Sequence, residues 1–439
     1  MPAVNHSIRL DRDKCMGCTH CLRRCPMEAI RIRHGKARML NERCIDCGEC
    51  IRVCPHHAKA AVTDPLSIID NYSYRIALPA PAFFGQFSGS DVLNTLPQGL
   101  RELGFDDVFE VSRGAQIVGE AIRRELEKKG PRPLISSSCP VIMRLIQLRF
   151  PGLIKNIIPL QSPMEVAARI ARDEFCQKNH VPHEKVGVFF ITPCPAKMTA
   201  IRQPRGTETS EVNGAISMVD MYAHLSNKHQ HAGNSGAEDG QSQAGVGYCL
   251  TGGEGFAAHM ENSLAVDGFE AVEKVLEEIE NGKLDGLDCF EGMACKCGCV
   301  GGALTFEIPY VAKQRIRDLI KKVPEYPPMD NIEPYLNDKL RLDKPIPATS
   351  ADLQLDTDMI VALQKMEEME KLVQRLPGLD CGSCGSPTCM ALAEDIVLGY
   401  ASEMDCIFRL KDHISDLAQE MMTLSEESSD TPMRGEINT

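Results

Sequence analysis

Glu291-Gly292-Met293-Ala294-Cys295-Lys296-Cys297-Gly298-Cys299-Val300-Gly301-Gly302 places three cysteines and four glycines within twelve residues. Glycines at that density let a backbone pass close to a bulky group. Working outward, two further cysteines stand beside prolines at the ends of apolar runs. Cys139 follows Pro133-Leu134-Ile135 and the triplet Ser136-Ser137-Ser138, ahead of Pro140. Cys194 follows Val186-Gly187-Val188-Phe189-Phe190-Ile191, between Pro193 and Pro195. Both runs read as buried parallel strands that deliver a cysteine at their C-terminal ends. Open α/β sheets hold ligands at those ends. Each cysteine alone reads as a buried thiol; their order along the chain is what matters.

Two tight runs precede them. Cys15, Cys18, Cys21 and Cys25, then Pro26, repeat the spacing of Cys44, Cys47, Cys50 and Cys54, then Pro55. This is the two-cluster bacterial ferredoxin pattern, in which the fourth cysteine of each run ligates the other cluster. The pattern therefore predicts one [4Fe–4S] cluster on Cys15, Cys18, Cys21 and Cys54, and another on Cys44, Cys47, Cys50 and Cys25. Paired zinc sites are the competing reading, but they commonly use paired cysteines with a longer spacer. Near the other end lie Cys381, Cys384, Cys389 and Cys406. The first two sit in a loop-like stretch, Leu376 to Gly385, and a helical pattern from Met390 to Tyr400 carries the chain back to Cys406. A four-cysteine Fe–S module and a zinc knuckle both fit that spacing.

The chain has 439 residues, 20 cysteines, no tryptophan and a net charge of −13. It is long enough for several domains. The charge disfavours nucleic acid and anionic membrane surfaces as partners. No apolar run is long enough to span a bilayer, and Met1 to Leu10 lacks the apolar stretch of a secretory signal. So many cysteines without an export signal suggest metal ligation in the cytoplasm, not disulfides. The basic stretch Arg23 to Arg38 reads either as a docking face for an acidic redox carrier or as a solvated face.

In order and surroundings, the three dispersed segments resemble the signature segments of the [FeFe]-hydrogenase catalytic domain. Ser136-Ser137-Ser138-Cys139-Pro140 partly matches T-S-C-C-P. Thr192-Pro193-Cys194-Pro195-Ala196-Lys197 matches M-P-C-x-x-K but for its first residue. Glu291 to Gly302 matches E-x-M-x-C-x-x-G-C-x-x-G in full. With the ferredoxin-like runs, the resemblance covers most of residues 1 to about 330. It implies that Cys139, Cys194, Cys295 and Cys299 hold a [4Fe–4S] cubane, with Cys299 bridging to a diiron unit that carries CO, cyanide and a dithiolate. Together these form the H-cluster. It further implies that Lys197 donates to a cyanide, that Met293 packs beside the diiron unit, and that separate maturation proteins build that unit. Gly298, Gly301 and Gly302 would let backbone wrap the cluster. Four clusters with four thiolates each leave Cys176, Cys249, Cys289 and Cys297 without an assigned role.

The chain departs from the family where protons move. Ser138 stands where strongly productive members place a relay cysteine. A thiol titrates near pKa 8.5 and an alcohol far higher, and relays work best near the operating pH. Thr192 replaces a methionine, Ala200 a frequent glutamate, and Met164, in Ser162-Pro163-Met164, a frequent glutamine. No cluster ligand is lost. The pattern resembles the sensory branch of the family and implies slow reversible H2 oxidation, with redox state passed through [4Fe–4S] clusters to a ferredoxin-like carrier or a signalling partner. A productive, ferredoxin-linked or complex-associated hydrogenase is the second reading. A non-catalytic Fe–S protein without the diiron unit is the third.

The expected architecture is multidomain α/β. Residues 1–62 form a ferredoxin-like α+β module with two clusters, and 70–345 a two-lobed α/β catalytic domain with the H-cluster between its lobes. Residues 346–375 form a linker and an amphipathic helix, 376–410 a small helical Fe–S module, and 411–439 a heptad-like helix with a disordered tail. Gly233 to Gly245 reads as a surface insertion, and Leu340 to Ser350, with Pro345 and Pro347, as a linker. Val272, Val275, Leu276 and Ile279 form one helix stripe stopped by Gly282. Ile407, Leu410, Ile414, Leu417, Met421 and Leu424 form a heptad seam, which serves either to pack the helix on its own domain or to make a homodimer.

Overall fold

The computed structural model describes residues 6–89, 91–225, 242–325, 332–349 and 354–429. The chain divides into two compact units, one of residues 1–14 and 41–353, the other of 15–40 and 354–439. The two ferredoxin-type runs thus fall in different units.

The first unit is built on two parallel sheets. The strands of these sheets are β1 (Tyr74–Pro79), β2 (Asp107–Val108), β3 (Leu134–Ile135), β4 (Val186–Thr192), β5 (Gly214–Ser217), β6 (Ser263–Asp267) and β7 (Cys289–Met293), and a separate antiparallel pair joins Ile8–Leu10 to Lys59–Ala61. One sheet runs β2-β1-β4-β5 and the other β6-β7-β3, with every pairing parallel. β4 is buried at all seven positions, as a continuous apolar run in a helix-covered parallel sheet must be. The helices α1 (Val111–Leu126), α2 (Pro140–Arg149), α3 (Pro163–Asn179), α4 (Pro195–Arg202) and α5 (Phe269–Glu280) alternate with the strands. Pro140, Pro163 and Pro195 each open a helix, where the missing N–H costs nothing and φ is already helical. In α5 the expected stripe turns Val272, Leu276 and Ile279 inward, and Gly282 beyond it has φ +71°. The first sheet packs in an apolar core in which Phe83, Phe84 and Phe189 are fully buried and which Leu134 and Cys289 of the second sheet reach, and Phe290 on β7 is fully buried as well. Each such side chain contributes about 1.5–3 kcal/mol over leaving it in water. This is the two-lobed α/β arrangement that the sequence predicts.

Two expectations need correction. Most of Gly233 to Gly245 lies outside the described residues. Its end, however, is buried: Ser242 caps a short helix from Gln243, and a Cβ on Gly245 would meet the Ser112 Cβ at 2.3 Å. The proline-bearing stretch before residue 350 is a strap, not a free linker. Pro347 accepts from Gln147 Nε2 at 2.8 Å, Thr349 accepts from Arg144 Nη1 at 2.6 Å, and Leu342 N donates to Pro159 O at 3.0 Å. On α2, Gln147 thus holds a proline carbonyl of the strap and Arg144 its threonine hydroxyl.

The second unit joins the short helix His20–Arg24 and the antiparallel pair Ile30–Arg33 and Lys36–Met39 to the helices α6 (Met359–Arg375), α7 (Cys389–Val397) and α8 (Ile407–Ser429). Asp358 caps α6 by accepting from Ile360 N and Val361 N, and Thr388 caps α7 from Ala391 N. Among the described residues no helix is long and apolar enough to cross a membrane.

Candidate metal centre

All three dispersed segments end at one place. Cys139 caps α2 just beyond β3, Cys194 caps α4 just beyond β4, and Cys295 follows β7 by two residues. Cys299 lies in the tight turn Gly298–Gly301. The C-terminal ends of strands from both sheets thus converge, as the general rule for open α/β sheets requires. The four sulfurs line one largely apolar cavity, with Lys197, Met293, Ser138, Tyr248, Cys249 and Glu291 also on its wall. Cys299 is exposed only in the sense that its sulfur opens into this space.

Close backbone contact holds the loop in place. A Cβ on Gly302 would lie 2.3 Å from the Pro193 carbonyl oxygen, so the Cys299 turn presses against the Cys194 loop. A Cβ on Gly298, at φ +81°, would lie 2.4 Å from the Cys249 carbonyl oxygen. Cys299 N donates to that same carbonyl at 2.8 Å. Thr192 closes the Cys194 turn, its Oγ1 donating to Cys194 O at 2.9 Å and accepting from Cys194 N at 3.1 Å.

Burial, and then the neighbouring sulfurs, raise the Cys194, Cys295 and Cys299 thiols. The Cys295 thiol is pushed up to about 11, chiefly by burial and opposed by the nearby Arg52 guanidinium. Cys194 and Cys299 are pushed higher by burial and by each other's neighbouring sulfurs. A site that crowds four sulfurs out of water releases protons when metal binds. The donor set is all sulfur, which suits an iron–sulfur cubane. For the diiron unit that the resemblance implies, the cavity offers an open sulfur on Cys299, the Lys197 ammonium and the buried Met293 thioether. The residues fit both groups.

A hydrogen-bonded network backs this wall. Lys197 Nζ donates to Ser138 O at 3.1 Å. Ser138 Oγ and Tyr248 OH are 3.0 Å apart, and Ser136 Oγ donates to Glu254 Oε2 at 2.6 Å. Burial raises the Glu254 carboxyl, opposed by the Ser136, Ser138 and Tyr248 hydroxyls. Glu291 accepts from Gly252 N and Gly255 N, yet burial and the Glu254 charge push it up to about 8. Tyr248 and Glu254 lie far from any cysteine motif, and no pattern in the sequence singles them out. Met164 lines the cavity and Ala200 a second one beside it, with Glu165, whose carboxyl burial raises.

In the same unit, the run Cys44, Cys47, Cys50 and Cys54 lies against this centre. A Cβ on Gly48 would meet Ala303 at 2.3 Å, and Arg52 Nη2 donates to Gly301 O at 2.5 Å. Cys44 Sγ accepts from Asp46 N at 3.5 Å and Cys54 Sγ from Ala58 N at 3.2 Å. The other run, in the second unit, repeats this geometry twenty-nine residues earlier in the chain. Cys25 Sγ accepts from Ala29 N at 3.3 Å, and left-handed Gly17, Thr19 and Glu28 match Asp46, Gly48 and His57. Cys15 Sγ accepts from Ala37 N at 3.3 Å, while Cys18 and Cys21 flank the start of the short helix His20–Arg24. Amide N–H groups aimed at sulfur are a recurrent way to tune clusters.

In the second unit Cys384, Cys389 and Cys406 pack into one small core with Leu372, Leu376 and Leu392. Cys381 sits close enough that its charge, with that of Cys406, raises Cys384, although burial is the larger cause. Arginines from the basic stretch serve this module. Arg31, 3 % exposed, and Arg33 both pair with the buried Asp395, at 2.6 and 2.8 Å. Arg23 Nη2 donates to Cys381 O at 2.7 Å and Arg33 Nη1 to Cys384 O at 3.2 Å. For Arg31 neither the docking nor the solvated reading holds, because it is buried on the Asp395 carboxylate, whereas Arg23 stays exposed. Of the unassigned cysteines, Cys176, Cys249, Cys289 and Cys297 are all buried, and none of the twenty is in a disulfide. Cys297 takes left-handed φ +65° to turn the chain between Cys295 and Cys299.

Comparison with known proteins agrees with this layout. The family "Iron only hydrogenase large subunit, C-terminal domain" matches residues 73–263 and 257–303. A 4Fe-4S dicluster domain family matches 7–55 and an Fe–S cluster family 376–408. The periplasmic [Fe] hydrogenase large subunit of Nitratidesulfovibrio vulgaris is 30% identical over 216 residues, 45% of this chain and 51% of that protein. Iron hydrogenase 1 of Clostridium pasteurianum is 27% identical over 126 residues, 28% of this chain and 22% of its own length. The cytosolic Fe-S cluster assembly factor NAR1 of Yarrowia lipolytica is 25% identical over 122 residues, 28% of this chain and 25% of that protein. The matches span between about a fifth and a half of these curated relatives. Among solved structures, a variant of [FeFe]-hydrogenase HydA1 from Chlamydomonas reinhardtii aligns with a TM-score of 0.48 at 16% identity, over 66% of this chain and 96% of that one. With its catalytic-domain model matched across more than half its length, and its four thiols at the strand ends, the chain belongs to the iron-only hydrogenase family.

Proposed function

We propose that the chain is a slow, reversible hydrogenase that reports H2 or redox state through its [4Fe–4S] clusters, working in the anaerobic cytoplasm. The observation that carries this reading is Ser138, which occupies the cavity wall beside Cys139 and hydrogen-bonds to Tyr248. The diiron unit, once inserted by maturation proteins, supplies the binding and cleavage of H2. The chain's own residues govern the protons. Lys197 keeps a cation on the cavity wall and orients the Ser138 backbone. Ser138 offers an alcohol where a relay needs a group titrating near neutrality, and burial raises its Tyr248 partner further. Burial raises the carboxyl of Glu254, next in line. Proton supply is therefore the slow step, while the four cluster thiols remain complete.

The run Cys44 to Cys54, which packs beside the Cys299 turn, would hold a cluster that supplies the electron path to a ferredoxin-like carrier or a signalling protein. The test is a matured, oxygen-free Ser138→Cys protein. Turnover should rise, by about 10²-fold on the usual scale of general acid–base catalysis; unchanged turnover rules out proton supply as the limit. The NAR1 match favours a second reading, a non-catalytic Fe–S protein. Infrared bands of CO and cyanide on the matured chain separate the two, since only the hydrogenase carries those ligands.

A further inference from the structure

α8 runs from Ile407 to Ser429, and its side chains are exposed throughout residues 411–425. Ile407, Leu410, Ile414, Leu417, Met421 and Leu424 lie on one stripe of it, each between 40 % and 72 % exposed. The small core of the second unit closes over Leu372, Leu376, Leu392, Ala393 and Cys406 without them. Isolated helices draw little stability from their own backbone, and an apolar stripe in water is unfavourable by roughly 25 cal/mol for each Å². The stripe is built to be covered.

We propose that a second copy of this chain covers it, as a parallel two-stranded coiled coil over residues 407–424. The residue types select that partner. With Ile407 as a, the a positions are Ile407, Ile414 and Met421, and every d position is leucine, Leu410, Leu417 and Leu424. Isoleucine at a with leucine at d is the combination that packs best as a parallel pair. The flanking charges agree: in a parallel pair His413 faces Ala418 of the second copy and Glu420 faces Ser425, so no like charges meet. A seam of two and a half heptads is shorter than a free-standing coiled coil, so the dimer dissociates on dilution.

The coil starts on a cluster ligand. Cys406 immediately precedes the first a residue, and its carbonyl accepts from Leu410 N at 2.9 Å. A parallel pair therefore sets two C-terminal Fe–S modules side by side at one end of the coil. None of this depends on H2 chemistry, so the dimer and the hydrogenase reading fail separately.

The test uses the full chain, loaded with clusters under anaerobic conditions, with mass measured by light scattering or sedimentation. The wild type should show twice the 48.4 kDa chain mass and fall towards that mass on dilution. Leu410→Glu and Leu410→Lys should each be monomeric, with iron content unchanged because residue 410 is exposed. Mixing the two should restore the dimer, since parallel strands place residue 410 against itself. A wild type that is monomeric throughout overturns the proposal, and so does a dimer that survives both variants. Rescue of Leu410→Glu by Met421→Lys, and not by Leu410→Lys, would show an antiparallel pair and overturn the side-by-side modules.

Discussion

The C-terminal Fe–S module and the centre at Cys299 solve the same problem, four thiols around one group, in opposite ways. The module draws its cysteines from residues 381 to 406, and three local devices shape it: left-handed Gly382 and Gly385, and the Thr388 cap on α7. The cavity centre draws on residues 139 to 299, and its cysteines meet only because two parallel sheets end at the same place. A local site tolerates error in the fold around it and depends on what braces it. A dispersed site inherits every error of the sheets, but sits in a dry cavity that short loops do not make.

Removing a ligand exposes the contrast most fully. Cys299→Ala should abolish H2 turnover and the CO and cyanide bands, while the low-temperature EPR of the other clusters persists. Retained infrared bands would mean that Cys299 is not the bridge. Next in size is Asp395→Asn, which takes away the carboxylate 2.6 Å from the buried Arg31 guanidinium and leaves it only Glu394, at 4.0 Å. Breaking a buried ion pair costs about 3–5 kcal/mol, so the C-terminal module should lose its iron and the melting transition of its unit should fall. Turnover at the cavity centre should survive; if it is lost as well, the two sites are not independent.

Smaller again is Gly302→Ala, whose Cβ collides with the Pro193 carbonyl. Overpacking of this kind costs about 1–3 kcal/mol. It should lower iron occupancy of the cavity centre alone, and an unchanged iron count would show that the two loops yield. The least effect is a slope with pH. Glu291 is raised to about 8 by burial, so it favours the folded state while protonated. That contribution is complete below the unfolded carboxyl pKa and fades as pH climbs to about 8. Glu291→Gln should flatten the decline in melting temperature across that window, and an equal slope in both proteins would remove Glu291 as its source.

The amino-acid sequence alone determined which runs are strands and which four dispersed cysteines line one cavity. Pro133 to Ile135 and Val186 to Ile191 announce themselves because strands buried on both faces are apolar throughout, and the cysteine spacings repeat because each run turns three closely spaced sulfurs around one loop. It also determined Ser138, the departure on which the functional proposal turns. Only the tertiary structure decided that Tyr248 and Glu254 stand behind that serine, that Arg31 and Arg33 are spent on Asp395, and that Thr349 straps α2. Spacing along a chain encodes what a few neighbouring residues can hold. Hydrogen-bond and charge partners more than a hundred residues apart are chosen by where the sheets bring them, and no local pattern carries that information.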